Sequence, residues 1–253
     1  MHYDISGLSD IGTVRSSNQD VVAWQLGHDG HQALLLVADG MGGYHGGEIA
    51  SQLAMEAVLE TMAPRLQEPT SSYSGLSDSV MREILQDCVT RANDHIIAGR
   101  AGDASLDKMG TTLVVAWVIE DRGHVAHVGD SRCYWLSGRR LTCLTRDDTV
   151  VQDMLDDGSI TVADVPHMPF RNVLTKALGT SSSIDASYQR CDLGVGDRLL
   201  LCSDGLTNAL PDDLWPDLLD KCGDSQSAVE ALVGASLDNR ASDNVSVVLL
   251  TRL

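Results

Sequence analysis

A glycine-rich segment at residues 37–47, Val-Ala-Asp-Gly-Met-Gly-Gly-Tyr-His-Gly-Gly, constrains the fold more than any other part of the chain. An apolar run over residues 33–37 precedes it and suits a buried strand, and an amphipathic helical pattern over residues 48–62 follows it. Asp39 and Gly40 alone are typical of a turn, because glycine tolerates positive φ. A turn does not need four further glycines, which let backbone approach a ligand closely. The segment therefore predicts a strand, a ligand-binding loop and a helix.

The composition favours one soluble domain, which we expect to span residues 1–253. Acidic residues number 36 against 18 basic ones, for a net charge of −18, which argues against nucleic acids and anionic membranes as partners. No apolar run approaches the ~20 residues that cross a bilayer, and the N-terminus does not resemble a signal peptide. The six cysteines form no C-x-x-C pair and are typical of a reducing compartment. We expect a cytoplasmic protein and, since no oligomerisation element is visible, a monomer.

Strands and helices occur in blocks along the chain. Strand patterns cover residues 3–8, 21–26, 33–37, 111–119, 125–128, 133–136, 186–191, 197–202 and 245–250. Helical patterns cover residues 48–62, 80–97, 148–157, 211–221 and 225–237, and residues 64–75 and 161–174 are predicted to be irregular. Blocks of this kind are not βαβ alternation. They predict an α+β fold of mostly antiparallel sheets with helices packed outside them.

Four aspartates lie at the ends of predicted strands or in the adjoining loops: Asp20, Asp39, Asp204 and Asp243, and Asp130 occupies a similar hairpin position. Each alone is explained by an Asx-turn, a cap or a loop. Together, at matching positions, they predict a shared site. Clustered carboxylates repel one another, so such a site needs cations, and oxygen-only ligands favour Mg²⁺ or Mn²⁺ over Zn²⁺.

Seven motifs occur in an order that resembles one known family. They are Arg15-x-x-Asn18-Gln19-Asp20, Asp39-Gly40-Met41-Gly42-Gly43, Gly110-Thr111-Thr112, Gly129-Asp130-Ser131-Arg132, the run from Arg171 to Gly179, Ser203-Asp204-Gly205-Leu206 and Ser242-Asp243-Asn244. Together they resemble the PP2C-type (PPM) metal-dependent protein serine/threonine phosphatases, in particular the compact bacterial branch. The resemblance extends from about residue 7 to the C-terminus.

The resemblance implies a four-layer α-β-β-α sandwich, in which two mostly antiparallel sheets are flanked by helix pairs. It also implies a two-ion centre of Mn²⁺ or Mg²⁺ at one end, with a flap subdomain at about residues 147–175 beside it. Asp39 would bridge both ions and the Gly40 carbonyl would bind one. The other implied ligands are Asp204 and Asp243 for one ion, Asp20 for the other through water, and Asp130 with Asp204 for a third, weaker ion.

Hydrolysis of phosphoserine and phosphothreonine in proteins is the function that these residues support best. We expect in-line attack by a metal-bridging hydroxide, with Arg15 gripping the phosphate, because no C-x5-R or G-x-S-x-G nucleophile motif is present. The expected partners are phosphorylated proteins, a bacterial serine/threonine kinase among them. Two alternatives stay open: a catalytically idle phosphoprotein-binding module, and a hydrolase of small phosphoesters.

Three residues depart from the family pattern. Gln19 stands where many members have glutamate, which removes one negative charge and predicts weaker metal binding on that side. Met41 stands where animal members carry a histidine proposed as general acid. Asp148 replaces the histidine usual in the Thr-x-Asp-His stretch of the flap, so the sequence leaves the packing of the flap open.

Overall fold

A computed structural model describes residues 2–42, 45–100 and 102–253, so Gly43 and Tyr44 of the glycine-rich segment lie outside the described residues. The strands are β1 (Tyr3–Asp10), β2 (Asp20–Leu26), β3 (Gln32–Met41), β4 (Gly110–Thr111), β5 (Leu113–Ile119), β6 (Arg122–Val128), β7 (Arg132–Ser137), β8 (Arg140–Cys143), β9 (Ser187–Asp192), β10 (Arg198–Cys202) and β11 (Val245–Arg252). The helices are α1 (Gly46–Gln67), α2 (Asp78–Gly99), α3 (Val150–Asp156), α4 (Asp204–Ala209), α5 (Trp215–Leu219) and α6 (Ser225–Asp238).

The described strands form two antiparallel sheets. The first has the order β1-β11-β10-β7-β8, and the second has the order β2-β3-β5-β6-β9 with the short β4 beside β3. Strands β3 and β5 are almost wholly buried and rich in Val, Leu and Ala, as expected for strands covered on both faces. The predicted antiparallel arrangement is confirmed.

Three apolar layers hold the sandwich together. Side chains such as Leu35 and Val248 fill the space between the two sheets. Trp117 on β5 lies in the layer where α1 and α2 cover the outer face of the second sheet. Trp215 packs edge-to-face on Tyr134, with ring centroids 4.8 Å apart, in the layer where α4–α6 cover the first sheet. The predicted four-layer α-β-β-α sandwich is therefore confirmed.

Helix α1 is longer than the sequence predicts. The sequence favours a loop over residues 64–75, but α1 continues through Pro64 to Gln67. Proline inside a helix removes one hydrogen bond and costs about 3 kcal/mol. Met62 and Leu66 are fully buried on either side of it, and burying each contributes roughly 1.5–3 kcal/mol. Burial of the helix face therefore outweighs the local effect of the proline.

Two further elements were not predicted. Asp204 begins the six-residue helix α4, where only a turn was expected, and Arg140–Cys143 forms the edge strand β8. The helix predicted at residues 211–221 is a 3-10 turn followed by the five-residue α5. Residues 147–175 contain α3 and then mostly turns, as expected. Their role as a flap of a single domain stays a prediction.

None of the helices in the described ranges combines the length and the apolar character needed to span a membrane.

Candidate metal centre

The aspartates of the two sheets come together at one end of the sandwich. Asp20, the first residue of β2, pairs in register with Asp39 near the end of β3. In the other sheet, β10 ends at Cys202 and Asp204 begins α4 directly afterwards. The intervening Ser203 donates its hydroxyl to Asp20 Oδ2 at 2.7 Å. This hydrogen bond links the second sheet to the strand end of the first.

A cavity of about 580 Å³ opens at this end of the molecule. Its lining includes six of the seven predicted site residues: Arg15, Asp39, Gly40, Asp130, Asp204 and Asp243. Asp20 does not line the cavity; it is 7% exposed and its carboxylate is held by Ser203. The structure thus brings together residues from widely separated parts of the chain and places Asp20 beneath them.

The carboxylates of the cavity contact protein partners. Asp204 Oδ2 accepts a hydrogen bond from Asn208 Nδ2 at 3.0 Å. Arg15 Nη2 lies 2.6 Å from Asp243 Oδ2. In these positions no three Asp, Glu, His or Cys side chains of the described residues surround a common point as metal ligands do. Rotation of these side chains is needed for them to close around an ion.

Burial and mutual repulsion raise the pKa values of these carboxyl groups. Burial raises the pKa of Asp39 well above its usual value, and repulsion from Asp20 and Asp204 adds to this. Burial, opposed by the hydrogen bond from Ser203, raises the pKa of Asp20 to about 6. Burial and then the charge of Asp204 raise the pKa of Asp130 to about 7. Full ionisation of these carboxyl groups at neutral pH therefore has a free-energy cost that the protein alone does not offset.

Asp20 supplies a direct test of whether these residues fit a metal ion. Its Oδ1 is buried and has no hydrogen-bond partner among the described residues. A buried, unpartnered carboxylate oxygen is rare, because its desolvation is not offset. A cation or a water bound to a cation satisfies it, and the donor set is made of oxygens only. The residues present therefore fit Mg²⁺ or Mn²⁺.

Arg15 stands at the mouth of the cavity on the loop between β1 and β2. Asn244 holds this loop: its Nδ2 donates to Ile11 O and Ser17 O at 2.9 and 3.0 Å. The hydrogen bond and charge of Asp243 raise the pKa of the Arg15 guanidinium. The side chain remains 54% exposed, so its planar fork is accessible to an anion in the cavity.

Gly40 is required by close packing of backbone. Its N–H donates to the Gln19 carbonyl at 3.1 Å. A Cβ at this position would overlap the Gly47 carbonyl at the start of α1. The end of β3 after Asp39 thus passes against the helix with no space for a side chain, which explains glycine beside the predicted bridging ligand.

Two residues position the site although no role was predicted for them. Thr112 Oγ1 accepts from Asp39 N–H at 3.0 Å and shares a 2.7 Å hydrogen bond with Ser131 Oγ. It therefore links Asp39 to the β6–β7 connection that carries Asp130. This connection crosses from the second sheet to the first, so the predicted hairpin position of Asp130 is wrong. Asn244 Oδ1 accepts from Gln19 N–H at 2.9 Å, next to Asp20. Both residues lie in the matched motifs, which was the only signal available for them.

The comparison with protein families agrees with this geometry. A model described as protein phosphatase 2C matches residues 13–234, which include every predicted site residue except Asp243. The chain belongs to the protein phosphatase 2C family.

Curated relatives of this phosphatase carry related names. A "Serine/threonine phosphatase stp" of Listeria monocytogenes is 31% identical over 248 residues, covering 96% of this chain and 94% of the relative. A "Serine/threonine protein phosphatase PstP" of Mycobacterium tuberculosis is 34% identical over 241 residues, covering 95% of this chain and 43% of the relative.

Solved structures share the fold over nearly the whole chain. A serine/threonine phosphatase of S. agalactiae superposes with a TM-score of 0.88 at 28% identity, covering 99% of this chain and 100% of that one. The catalytic domain of PstP in complex with two manganese ions gives a TM-score of 0.82 at 32% identity, covering 98% of this chain and 97% of that one. The predicted family and fold are confirmed.

Replacing Gln19 by glutamate is expected to tighten metal binding by this phosphatase several-fold. The Gln19 backbone is fixed, because its carbonyl accepts from Gly40 N–H and from Ser51 Oγ at 2.7 Å. The variant therefore adds one negative charge to the site without moving the chain. Titration of metal-stripped protein with Mn²⁺ by calorimetry measures the change. Equal affinity in the wild type and Gln19→Glu would contradict it.

Proposed function

We propose that this phosphatase hydrolyses phosphoserine and phosphothreonine in proteins with two Mn²⁺ or Mg²⁺ ions bound in the cavity at the strand ends. The observation that carries the proposal is the convergence of Asp39, Asp130, Asp204 and Asp243 with Arg15 on one cavity. The relatives named as serine/threonine phosphatases and the manganese-bound PstP structure support it.

The proposed ligands follow the geometry of the cavity. Asp39 lies close enough to Asp20, Asp204, Asp130 and Asp243 for their charges to raise its pKa, which supports the role implied by the resemblance, a ligand shared by both ions. The Gly40 carbonyl would hold one ion, and Asp204 and Asp243 would hold the other. Asp20 is set back from the cavity and would act through water. Asp130, whose pKa Asp204 raises, forms a third, weaker site with Asp204.

When bound, two divalent cations lower the pKa of a water molecule and neutralise charge on the phosphoryl oxygens. Arg15 grips two phosphate oxygens through its fork once it exchanges Asp243 for the substrate. The exchange would free Asp243 Oδ2 to hold an ion, while Asn244 N–H keeps Asp243 Oδ1 in place at 2.9 Å. Ser203 fixes Asp20 Oδ2, which leaves Oδ1 of Asp20 to orient a water bound to an ion.

We propose further that the substrates are products of a serine/threonine protein kinase, and that the enzyme acts in the cytoplasm as a monomer. The acidic surface, with a net charge of −18, supports protein rather than nucleic-acid substrates. Arg15 is the cation that lines the cavity, which suits a single phosphate group presented on a peptide.

The proposal is tested by phosphate release from a phosphothreonine peptide by metal-stripped protein, with and without Mn²⁺. We expect turnover with Mn²⁺, none with a chelator, and a kcat/KM for the peptide above that for a small aryl phosphate. A higher value for the small ester would support the small-phosphoester hydrolase instead. Peptide binding without turnover under Mn²⁺ or Mg²⁺ would support the idle binding module.

A further inference from the structure

Asp148, the departure whose packing the sequence left open, is buried against the β6–β7 connection that carries Asp130. Its exposed fraction is 4%. Its backbone N–H donates to the Gly129 carbonyl at 2.9 Å, and its Oδ2 accepts from Gly129 N–H at 3.1 Å. Asp148 thus pairs with both backbone groups of the residue that precedes Asp130.

The neighbouring Asp147 holds the other end of the same connection, at the start of β7. Arg132 donates to its two carboxylate oxygens at 2.8 and 2.7 Å. Asp130 therefore lies between Gly129, fixed by Asp148, and Arg132, fixed by Asp147. Two consecutive acidic residues at the start of the 147–175 segment set the position of this proposed metal ligand.

Lys176 connects Asp148 to the far end of the same segment. Its Nζ lies 3.3 Å from Asp148 Oδ1, and Lys176 is 41% exposed. The adjacent Thr175 N–H donates to the Asp148 carbonyl at 2.8 Å, and Thr149 pairs with Leu174. Asp148 therefore joins three parts of the chain, namely the β6–β7 connection that carries Asp130 and both ends of the 147–175 segment.

The charge of Lys176 is what makes a buried carboxylate tolerable at this position. Removing one partner of a buried ion pair leaves an uncompensated charge, whereas removing both is far less harmful. A carboxylate also binds an N–H more strongly than a neutral acceptor does. The usual histidine cannot form this pair, because neither its neutral nor its cationic ring supplies the negative charge that attracts Lys176.

We propose that Asp148 and Lys176 are positioning residues that couple the two ends of the 147–175 segment to the Asp130 carboxylate. The contact among Gly129, Asp148 and Lys176, hereafter the 148 clasp, fixes the position of Asp130, a proposed ligand of the third ion. This proposal extends the proposed function. Of the two parts of its test, only the kinetic part rests on that function. Loosening the 148 clasp would weaken binding of the proposed ion at Asp130 and make the 147–175 segment more mobile. Asp39, Asp204 and Asp243 would keep their positions.

The first arm of the test is hydrogen exchange in metal-free protein, which needs no catalysis. Lys176→Gln is expected to speed exchange of the Gly129 amide and of the amides at the ends of the segment by about tenfold. Asp148→Asn retains a neutral acceptor and is expected to have a smaller effect. In the double variant Asp148→Asn/Lys176→Gln, exchange is expected to match Asp148→Asn alone, since Lys176 acts only through Asp148.

The second arm measures the Mn²⁺ concentration at half-maximal turnover. We expect Lys176→Gln to raise it about tenfold, as loss of a residue supporting a metal ligand does, with kcat at saturating Mn²⁺ changed little. The matched control is Arg91→Gln, which breaks an exposed pair with Asp87 on α2, away from the segment. It is expected to leave both readouts at wild-type values.

Each outcome has a distinct meaning. Additive effects of the two substitutions, unchanged exchange in Lys176→Gln, or equal effects of Arg91→Gln would each overturn the clasp. A shift in exchange without any shift in the Mn²⁺ midpoint of an active enzyme would overturn its link to the metal. Lack of turnover in the wild type under Mn²⁺ would instead overturn the proposed function, while the exchange arm still decides whether Lys176 acts through Asp148.

Discussion

Asp39→Asn is expected to lower kcat/KM for a phosphothreonine peptide by at least about 10³-fold. The change removes one charge from the residue assigned to both ions and leaves its shape nearly intact, so the loss falls on charge stabilisation and metal binding. The substitution also spares the backbone, because the 3.0 Å hydrogen bond to Thr112 Oγ1 comes from the N–H of this residue and not from its side chain. Single-turnover and steady-state phosphate release at saturating Mn²⁺ measure the effect.

The stability of the same variant separates this loss from unfolding. Burial and the neighbouring carboxylates raise the pKa of Asp39, so its ionised form destabilises the metal-free fold at neutral pH. Asparagine removes that repulsion, and the thermal midpoint in chelator is expected to be equal to or above that of the wild type. Asp238→Asn, at the exposed end of α6, is the control. Wild-type turnover in Asp39→Asn would refute the assignment.

Metal-free protein is expected to lose stability as pH rises from 6.5 to 8. Burial raises the pKa of Asp130 to about 7 and that of Asp39 further above its usual value, so the folded state binds protons that the unfolded chain has released. Stability from these groups is present at low pH and falls as pH rises towards the folded pKa. One pKa unit corresponds to ~1.4 kcal/mol, so the decline is expected to reach on the order of 1–3 kcal/mol.

His124 has an opposite effect on stability, but mainly below this pH range. Burial lowers the pKa of His124 to about 4, so its neutral form contributes stability that grows between pH 4 and the usual histidine pKa of about 6.5. Above that range its contribution is constant. Urea unfolding in chelator at pH 6.5 and 8 measures the decline.

Mn²⁺ and a single variant serve as controls for this prediction. Mn²⁺ is expected to stabilise the protein more at pH 8 than at pH 6.5, because it replaces the protons that offset the clustered charge. Asp130→Asn is expected to show a smaller decline in chelator. A stability that is flat or rises over this range in metal-free protein would contradict the prediction.

The sequence predicted most of the strands, because they depend on local patterns. The runs that became β3, β5 and β11 are buried and rich in Val and Leu. Asp20 and Asp39 were predicted beside strands but lie within β2 and β3, because pairing of these two strands extends to both residues. Helix α4 and strand β8 were missed, because six and four residues are too few to show a period. The continuation of α1 past Pro64 was missed as well, because the local cost of proline is visible in sequence and the burial of Leu66 is not.

The contacts among the site residues could not be predicted in the same way. The pairing of Arg15 with Asp243 joins residues 228 positions apart, and only the meeting of the two sheets brings them within reach. Asp148 was visible only as a departure from a family pattern, and its partner Lys176 follows it by 28 positions across an irregular segment. Long-range contacts of this kind depend on topology, which a pattern along the chain does not contain.

The order of strands in the first sheet has a consequence for synthesis of the protein. Strand β11 lies between β1 and β10. Until residues 245–252 have left the ribosome, the nascent chain therefore lacks the strand that connects β1 to β10. The second sheet needs nothing beyond β9, which ends at Asp192. Asp243 and Asn244 lie just before the first residue of β11. Asp243 is therefore synthesised immediately before the strand that joins β1 to β10. A partly synthesised chain is therefore expected to lack phosphatase activity until both have emerged.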